Sequence, residues 1–234
     1  MESPSPATAH PLDNSVRSAL LGAHAAFAER RGDVVRYPPS MSPFVGMPDE
    51  PGPGDWADAA ALAGAGGLFL IAGSTPRPPA DWEFLGGLDG VQLVGSGLEP
   101  AADPEAVQLG PDDLPEILAL VERTKPGPFA ARTIDFGGYL GIRRDGVLVA
   151  MAGERFRPPG YGEISAVCTD AEWRGHGFAS RLMRAVAAGI TARGEIPFLH
   201  AVAANTTAIS LYEGLGFKLR RTTVFSRVRV PRDA

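Results

Sequence analysis

The sequence is poor in the side chains that form disulfides or bind transition metals. It contains one cysteine, Cys168, and four histidines among 234 residues. A single cysteine excludes an internal disulfide framework, and the scattered histidines show no metal-ligand spacing. Cys168 lies in an apolar segment, which favours a buried structural thiol over a nucleophile. We therefore expect no metal in this protein.

The sequence also lacks long apolar runs and an excess of positive charge. The alanine- and glycine-rich segment 59–72 is too short to span a bilayer. The N-terminus has no basic region followed by an apolar stretch, so we expect no secretory signal. The net charge is −5 and no basic, aromatic stripe is present, so a nucleic-acid surface is not expected. These features predict a cytoplasmic protein that binds neither membranes nor nucleic acid.

The remaining composition is that of an ordinary globular protein, with 44% hydrophobic and 21% charged residues. Its 234 residues are enough for one large domain or two small ones. Residues 1–100 contain 5 arginines and no lysine against 12 acidic residues, whereas the rest is slightly basic. The acidic first part favours a cationic or amine-bearing partner. The segment 95–104 is typical of a linker, so we predict two regions, residues 1–104 and 105–234.

Hydrophobic periodicity predicts helices and strands in both regions, and hence an α/β fold. In the first region we expect a helix over 15–31, strands over 68–72 and 91–94, and a turn at 76–79. In the second we expect, in order, a strand over 107–109, a helix over 111–123, a three-strand meander over 139–169, a helix over 175–193, a strand over 198–203, a short helix, and two strands over 217–220 and 224–230.

The most informative block is residues 161–184, where an apolar strand meets a polar turn and then an amphipathic helix. The turn reads Arg174-Gly175-His176-Gly177-Phe178-Ala179. A strand that leads through glycines into a helix N-terminus is an anion site, because free N–H groups and the positive end of the helix dipole point at the ligand. Without a Cβ, Gly177 lets a phosphate approach the backbone. The block is not a P-loop, because no Gly-Lys-Ser/Thr ending follows.

A second block, residues 197–217, reads PFLHAVAANTTAISLYEGLGF. A buried strand is followed by Asn205, a short helix and Gly216. Asn205 is a good helix N-cap, and Gly216 suits the left-handed conformation at a helix exit. Capping explains these two residue types but not the presence of both blocks at this separation.

Together the two blocks resemble the GNAT superfamily of acetyl-CoA-dependent N-acyltransferases. The spacing of Arg174, Gly177 and Ala179 is similar to its pyrophosphate-binding motif, and the second block is similar to its "LYE-x-LGF" region. The resemblance covers roughly residues 107–229, and in detail it is closest to the branch of glycine N-acyltransferases. It implies a mixed, mostly antiparallel sheet flanked by helices in residues 105–234. In that branch the N-terminal half resembles a degenerate second copy of the same fold, which residues 1–104 permit.

The resemblance also implies an activity: transfer of an acetyl group from acetyl-CoA to a primary amine of a small molecule or amino acid, by direct attack. Val167 would donate its backbone N–H to the thioester carbonyl, and Cys168 and Thr169 would lie beside the pantetheine arm. Asn205 would bond the pantetheine amide, while Arg174 would either contact phosphate or brace the loop through Asp170 or Glu172. The implied coenzyme-binding residues are Val167, Cys168, Thr169, Arg174, Gly175, His176, Gly177, Phe178, Ala179, Asn205 and Tyr212.

Two side chains are candidates for proton transfer. Glu163 heads the central strand, where several GNAT enzymes place a general base, and a partly apolar cleft would raise its pKa and suit it to that task. Tyr212 is the candidate general acid that protonates the coenzyme A sulfur. The alternatives are an exposed strand-end carboxylate for Glu163 and an aromatic core anchor for Tyr212. We interpret His200 as a buried core histidine.

The acceptor is the least determined part of the prediction. In this superfamily it is selected by the segment after the first helix, here residues 125–138. Phe129, Phe136 and Tyr139 would line an apolar wall, and Arg132 would meet a carboxylate. The expected partner is a small-molecule amine, and the expected assembly is a monomer or homodimer. Two alternatives stay open: a non-catalytic coenzyme A-binding regulatory module, and an acyltransferase that uses a longer acyl-CoA.

Overall fold

A computed structural model describes residues 10–73 and 77–232 of the chain, so the turn predicted at 76–79 begins at a residue outside the described part. The first region contains α1 (Ser15–Leu20), β1 (Glu29–Arg31), β2 (Val34–Arg36), β3 (Val45–Gly46), α2 (Pro53–Ala63), β4 (Leu68–Ala72) and β5 (Glu83–Val94). The second contains β6 (Val107–Gln108), α3 (Leu114–Thr124), β7 (Leu140–Arg144), β8 (Val147–Glu154), β9 (Tyr161–Thr169), α4 (Phe178–Ala192), β10 (Ile196–Val202), α5 (Thr206–Gly214) and β11 (Lys218–Arg229).

Eight strands form one mixed sheet in the order β4-β11-β5-β10-β9-β8-β7-β6. Only β9 and β10 run parallel in it, with Tyr161 opposite Ile196 and Glu163 opposite Phe198. Strands β1 to β3 form a second sheet, which meets the first through a bridge between Phe44 and Leu70. The predicted mixed, mostly antiparallel sheet flanked by helices is therefore confirmed.

Helices cover both faces of this sheet. The apolar stripe of α4, including Leu182, Val186 and Ile190, packs on Ile164 and Leu199. On the other face, α3 buries Ile117 and Leu120 against Leu148 and Met151 of β8. The alternation of inward side chains along β8 explains why one strand serves two cores. The two layers of helix fix the ends of β9 and β10, where the site lies.

The predicted helix over 15–31 is wrong beyond its first turns. Helix α1 ends at Leu20, a short 3₁₀ turn follows at Ala25–Phe27, and β1 begins at Glu29. Gly22 lowers helix propensity there, and the chain turns back with the His24 N–H bonded to the Ala19 carbonyl. The two predicted final strands are one strand, β11, with irregular pairing near Arg220 and Arg227.

Strand pairing crosses the predicted boundary at residue 104. Strand β5 lies between β10 and β11, and β4 pairs with the outer side of β11. The order α1-β1-β2-β3-α2-β4 in the first region repeats as α3-β7-β8-β9-α4-β10 in the second. In both, the third strand of the meander runs parallel to the strand after the helix. This repetition is what a degenerate second copy predicts, although the division into domains stays a prediction.

Candidate active site

A cavity of about 1380 Å³ runs from the N-terminus of α4, past the facing ends of β9 and β10, to β4, β5 and β11. The cavity exists because β9 and β10 separate. Their pairing ends at Glu163 and Phe198, yet β9 continues to Thr169 and β10 to Val202. Beyond the last pair, side chains and backbone of both strands face the open space.

A bulge in β9 increases this separation. Ala166 has a φ of +53°, and the register with β8 shifts so that neither Ala166 nor Val167 has a partner on that strand. Val167 lines the cavity. A bulge of this kind redirects the backbone and leaves polar groups outside the ladder. The geometry is compatible with the predicted use of the Val167 N–H.

The loop before α4 presents a row of unused backbone donors. Gly175 and Gly177 have φ of +84° and +74°, which turns the chain sharply into the helix. The first loop-to-helix bond runs from the Arg181 N–H to the Gly177 carbonyl. Within the described residues, no acceptor takes the N–H groups of residues 175–179. The first turn of α4 contains no acidic residue, so the site is suited to an anion.

Some side chains around this loop are held by contacts within the protein, whereas Arg174 can contact a ligand. Asp170 forms an ion pair with Arg123 at 2.8 Å, so it does not brace Arg174. Arg174 is exposed, lines the cavity and has no ion pair within the described chain. The His176 ring contacts the Trp173 carbonyl at 3.1 Å and stacks on Phe178. His176 thus stabilises the loop, whereas Arg174 is available to a phosphate.

Residues on β9 and α5 line the middle of the cavity. Burial raises the pKa of the Cys168 thiol to about 11, so it is a neutral thiol at physiological pH. Thr169 lines the cavity, but its hydroxyl oxygen is buried and has no hydrogen-bond partner within the described residues. Asn205 caps α5 through its Oδ1, which accepts from the Ala208 N–H at 3.2 Å. The Asn205 amide can therefore offer polar atoms to a ligand.

Tyr212, on α5, lines the cavity and packs against Phe217. Burial raises the pKa of its hydroxyl, and no hydrogen bond within the described residues engages it. A phenol that stays protonated and faces a cavity can donate a proton or a hydrogen bond there.

Glu163 lies beneath the cavity rather than in its wall. Its carboxylate is fully buried and forms a two-point pair with Arg155 at 2.7 and 2.9 Å. It also accepts from His200 Nδ1 at 2.7 Å. Burial alone would raise its pKa, but the Arg155 charge and His200 outweigh burial and lower it to about 2. The expectation of a raised pKa is therefore wrong, because sequence reasoning did not foresee Arg155 beside this carboxylate.

His200 does line the cavity, between Glu163 and a buried polar chain. Its Nε2 lies 3.0 Å from the Gln92 side-chain amide, and Gln92 Oε1 accepts from Arg220 at 2.8 Å. Arg220 in turn pairs with Asp13 at 2.7 Å. With Nδ1–H donated to the Glu163 carboxylate, Nε2 is the ring nitrogen that accepts from the Gln92 amide. His200 is therefore a buried histidine with contacts at both ring nitrogens, as the sequence predicted, and it also borders the cavity.

The acceptor end of the cavity differs from the prediction. Lys125, Pro126, Gly127 and Pro128 do line it. The predicted aromatic residues Phe129, Phe136 and Tyr139 pack in or against cores instead, and Arg132 pairs with Asp135. The wall that sequence reasoning missed comes from the first region and from β11: Phe44, Leu70, Leu85, Leu88, Phe225 and Arg227. Along β11, the cavity-lining residues Phe225 and Arg227 alternate with the buried residues Ser226 and Val228. This alternation is the sequence signal that could have predicted the wall.

Charge in the cavity also differs from the expectation drawn from the acidic first region. No carboxylate is among the cavity-lining residues of the described chain, whereas four cationic side chains are: Lys125, Arg155, Arg174 and Arg227. The acidic residues of the first region therefore lie elsewhere. In the same described residues, no cluster of three or more His, Cys, Asp or Glu could hold a metal, and no helix has the length and hydropathy to cross a bilayer.

Comparison with known proteins agrees with this geometry. The FR47-like protein family matches residues 139–226, which contain the loop before α4, the separated strands β9 and β10, and Tyr212. A protein assigned to the GNAT family of acetyltransferases, from Novosphingobium aromaticivorans DSM 12444, is 40% identical; the alignment covers 94% of this chain and 98% of that one, with a TM-score of 0.86. No match was found among curated protein sequences.

More distant structures share the fold alone. A GCN5-related N-acetyltransferase from Kribbella flavida is 15% identical, covers 94% of this chain and 96% of its own, and has a TM-score of 0.60. A GNAT-family acetyltransferase from Colwellia psychrerythraea is 13% identical over 68% of this chain and 64% of its own, with a TM-score of 0.51.

The fold and the relative of 40% identity define the class as an N-acetyltransferase. The chain belongs to the GNAT family of N-acetyltransferases, whose members use acetyl-CoA as co-substrate and transfer its acetyl group to amines. The resemblance to the glycine N-acyltransferase branch is not confirmed by these comparisons.

Proposed function

We propose that this protein transfers an acetyl group from acetyl-CoA to a primary amine of a small molecule or amino acid, by direct attack within one cavity. The observation that carries the proposal is the continuity of the cavity. It joins the unused N–H groups before α4 to the apolar wall of the first region, past Tyr212 and His200. Coenzyme and acceptor can therefore meet without leaving the protein.

In this proposal the N–H groups of residues 175–179 and the Arg174 side chain hold the pyrophosphate. The pantetheine arm lies between β9 and β10, where Asn205 supplies polar atoms, and Cys168 and Thr169 lie beside the arm. Gly177 is needed because its φ of +74° suits a residue without a Cβ, and because a side chain there would keep phosphate from the backbone. The loop thus combines a dipole, free donors and one cation.

The chemical step forms a C–N bond and breaks the thioester C–S bond. The amine attacks the carbonyl carbon while the Val167 N–H stabilises the negative charge on the carbonyl oxygen. As the C–S bond breaks, Tyr212 gives its proton to the sulfur, so coenzyme A leaves as a thiol, and the proton lost by the amine afterwards replaces the one that Tyr212 gave. The burial-raised pKa of Tyr212 keeps that proton available at neutral pH.

The amine must also lose a proton. Glu163 was our candidate base, but a carboxylate paired with Arg155 and with a pKa of about 2 accepts protons poorly near neutrality. We propose that the proton passes to Nε2 of His200, which lines the cavity, and that Glu163 stabilises the resulting imidazolium through its contact with Nδ1. Gln92 must first release its contact with Nε2, because its N–H occupies the lone pair that takes up the proton. Glu163 is a positioning residue in this scheme.

The experiment is an assay of free-thiol release from acetyl-CoA over a panel of primary amines. We expect amine-dependent release, with Tyr212→Phe lowering kcat by roughly tenfold or more and leaving acetyl-CoA affinity unchanged. Tyr161→Phe is the matched control, because its hydroxyl contacts His10 at 3.2 Å and lies outside the cavity.

Other outcomes of the same assay have defined meanings. Tight acetyl-CoA binding without amine-dependent thiol release across the panel would contradict the proposal and favour a binding module. Faster release from a longer acyl-CoA than from acetyl-CoA would keep the reaction and change the donor.

A further inference from the structure

The cavity extends from the loop before α4 to an apolar wall formed by β4, β5 and β11, and this wall contains Arg227, which has no ion pair within residues 10–73 and 77–232. Along β11, Phe225 and Arg227 face the cavity, and Leu70 of the neighbouring β4 is the register partner of Arg227. Leu85 and Leu88 of β5 line the same end. Arg227 is exposed at this end of the cavity, and the lining residues that β4, β5 and Phe225 contribute beside it are apolar or glycine.

Arg227 differs from the other arginines of this region. Arg229, two residues along the same strand, pairs with Glu83 at 2.6 Å, and Arg155 pairs with Glu163. The polar contact of Arg227 within the described chain is a long one, from Nη2 to the Leu85 carbonyl at 3.5 Å. The N–H donors of the planar Arg227 guanidinium are therefore available to a ligand.

Of the three other cations of the cavity, Lys125 also has no ion pair within the described chain, but it is exposed and lies in the loop after α3. Its ammonium lacks the planar fork of an arginine. The charge of Arg155 is balanced by Glu163, and Arg174 lies at the phosphate loop. Since no described lining residue is acidic, a purely cationic acceptor would meet no complementary charge here. A carboxylate is the anion that an arginine fork binds with two parallel hydrogen bonds.

We propose that the acceptor amine carries a carboxylate, separated from the amine by an apolar segment, and that Arg227 binds this carboxylate. The apolar segment packs on Phe225, whose ring lies 5.7 Å from that of His200, and on Leu70. This arrangement places the amine toward His200 and the carboxylate at the far end. The inference rests on the proposed function and adds the acceptor class to it.

The test compares three acceptors of equal chain length: 6-aminohexanoate, its primary amide and hexylamine. We expect kcat/KM to be at least about tenfold higher for 6-aminohexanoate than for the amide or hexylamine. One charge-assisted hydrogen-bonded pair usually contributes a factor of this size. Arg227→Met, which keeps an unbranched side chain, should remove this preference by raising KM for 6-aminohexanoate alone. Arg229→Met is the matched control and should keep it.

Failure of this inference is distinguishable from failure of the proposed function. Equal kcat/KM for the three acceptors, or an equal loss for all three in Arg227→Met, would overturn the carboxylate site while leaving acetyl transfer intact. If none of the three is acetylated, calorimetry with hexanoate and coenzyme A still decides. Binding to the parent that is lost in Arg227→Met and kept in Arg229→Met supports the site, and any other binding result refutes it.

Discussion

At the scale of single residues, the Glu163 carboxylate determines how the amine can lose its proton. A carboxylate that is 0% exposed would ordinarily be protonated or absent, because desolvation disfavours its charge. Arg155 and His200 reverse that preference. Removing one member of such a pair leaves a buried charge and costs about 3–5 kcal/mol. Activity changes in Glu163 variants must therefore be separated from loss of stability.

The pH dependence of kcat/KM makes that separation. In His200→Gln we expect kcat/KM at neutral pH to fall by ~10²-fold, with a smaller loss at high pH, where the amine is already deprotonated. In Glu163→Gln we expect kcat/KM to fall at neutral pH as well, with a smaller loss at high pH, because the imidazolium formed in the reaction loses its neighbouring carboxylate. The pKa of Glu163 in the folded protein is lowered from its ordinary value to about 2. The charged carboxylate therefore stabilises the fold at pH values above the ordinary pKa, and this contribution is lost as the pH falls toward about 2.

Profiles are measured below the unfolding temperature of each variant, which circular dichroism gives. An unchanged profile in His200→Gln would remove His200 from proton transfer. A purely structural role of Glu163 would lower activity equally at every pH, and would thus be recognised.

At the scale of elements, the parts that sequence reasoning predicted are those with local determinants. The loop from Arg174 to Ala179, the long helix α4 and the Asn205 cap all depend on residues within a few positions of one another. The burial of the Glu163 carboxylate depends on Arg155, which directly follows the neighbouring strand β8. The local pattern of residues around Glu163 does not encode this contact. The acceptor wall depends on β4, β5 and β11, which are far apart in sequence and meet only through sheet pairing.

The loop before α4 offers a test with a matched control in the same chain. Gly177 and Gly160 have φ of +74° and +78°, and a Cβ on either would meet open space. Valine at each position therefore imposes similar backbone strain, but Gly177 lines the cavity and Gly160 does not. We expect Gly177→Val to weaken acetyl-CoA binding by at least about 100-fold in calorimetry, since donor geometry and phosphate approach are both lost.

Gly160→Val should bind acetyl-CoA with the affinity of the parent, while both variants lose a similar amount of thermal stability. Unchanged affinity in Gly177→Val would refute the assignment of the phosphate site. A comparable loss in both variants would attribute the effect to strain.

At the scale of the whole molecule, the two repeated halves have different helix N-termini. The loop before α4 has glycines, free N–H groups and no acid in the first turn. The equivalent segment before α2 carries Asp49 and Glu50, and Asp55 in the first turn already accepts from the Gly52 N–H at 2.8 Å. Carboxylates there repel a phosphate and satisfy a donor that it would need. We infer that only the second half binds coenzyme.

The first half instead completes the sheet and the acceptor end of the cavity. Strand β5 supplies the partner of both β10 and β11, and β4 supplies the other neighbour of β11. Without residues 1–104, β11 would lose both neighbours and β10 would lose one. Such unpaired strands expose backbone donors and acceptors together with the apolar side chains that they bury.

This dependence gives the last prediction. A fragment of residues 105–234 should show no cooperative thermal unfolding and no acetyl-CoA binding in calorimetry, although it contains both motif blocks. Producing residues 1–104 in the same cells should restore binding, because β4 and β5 can pair again. If the fragment alone binds acetyl-CoA with the affinity of the full chain, the boundary predicted at residue 104 separates independent domains, and the shared sheet is dispensable for the coenzyme site. Binding that returns only with the first half would show that β5 belongs structurally to the coenzyme-binding unit, since this strand lies between β10 and β11.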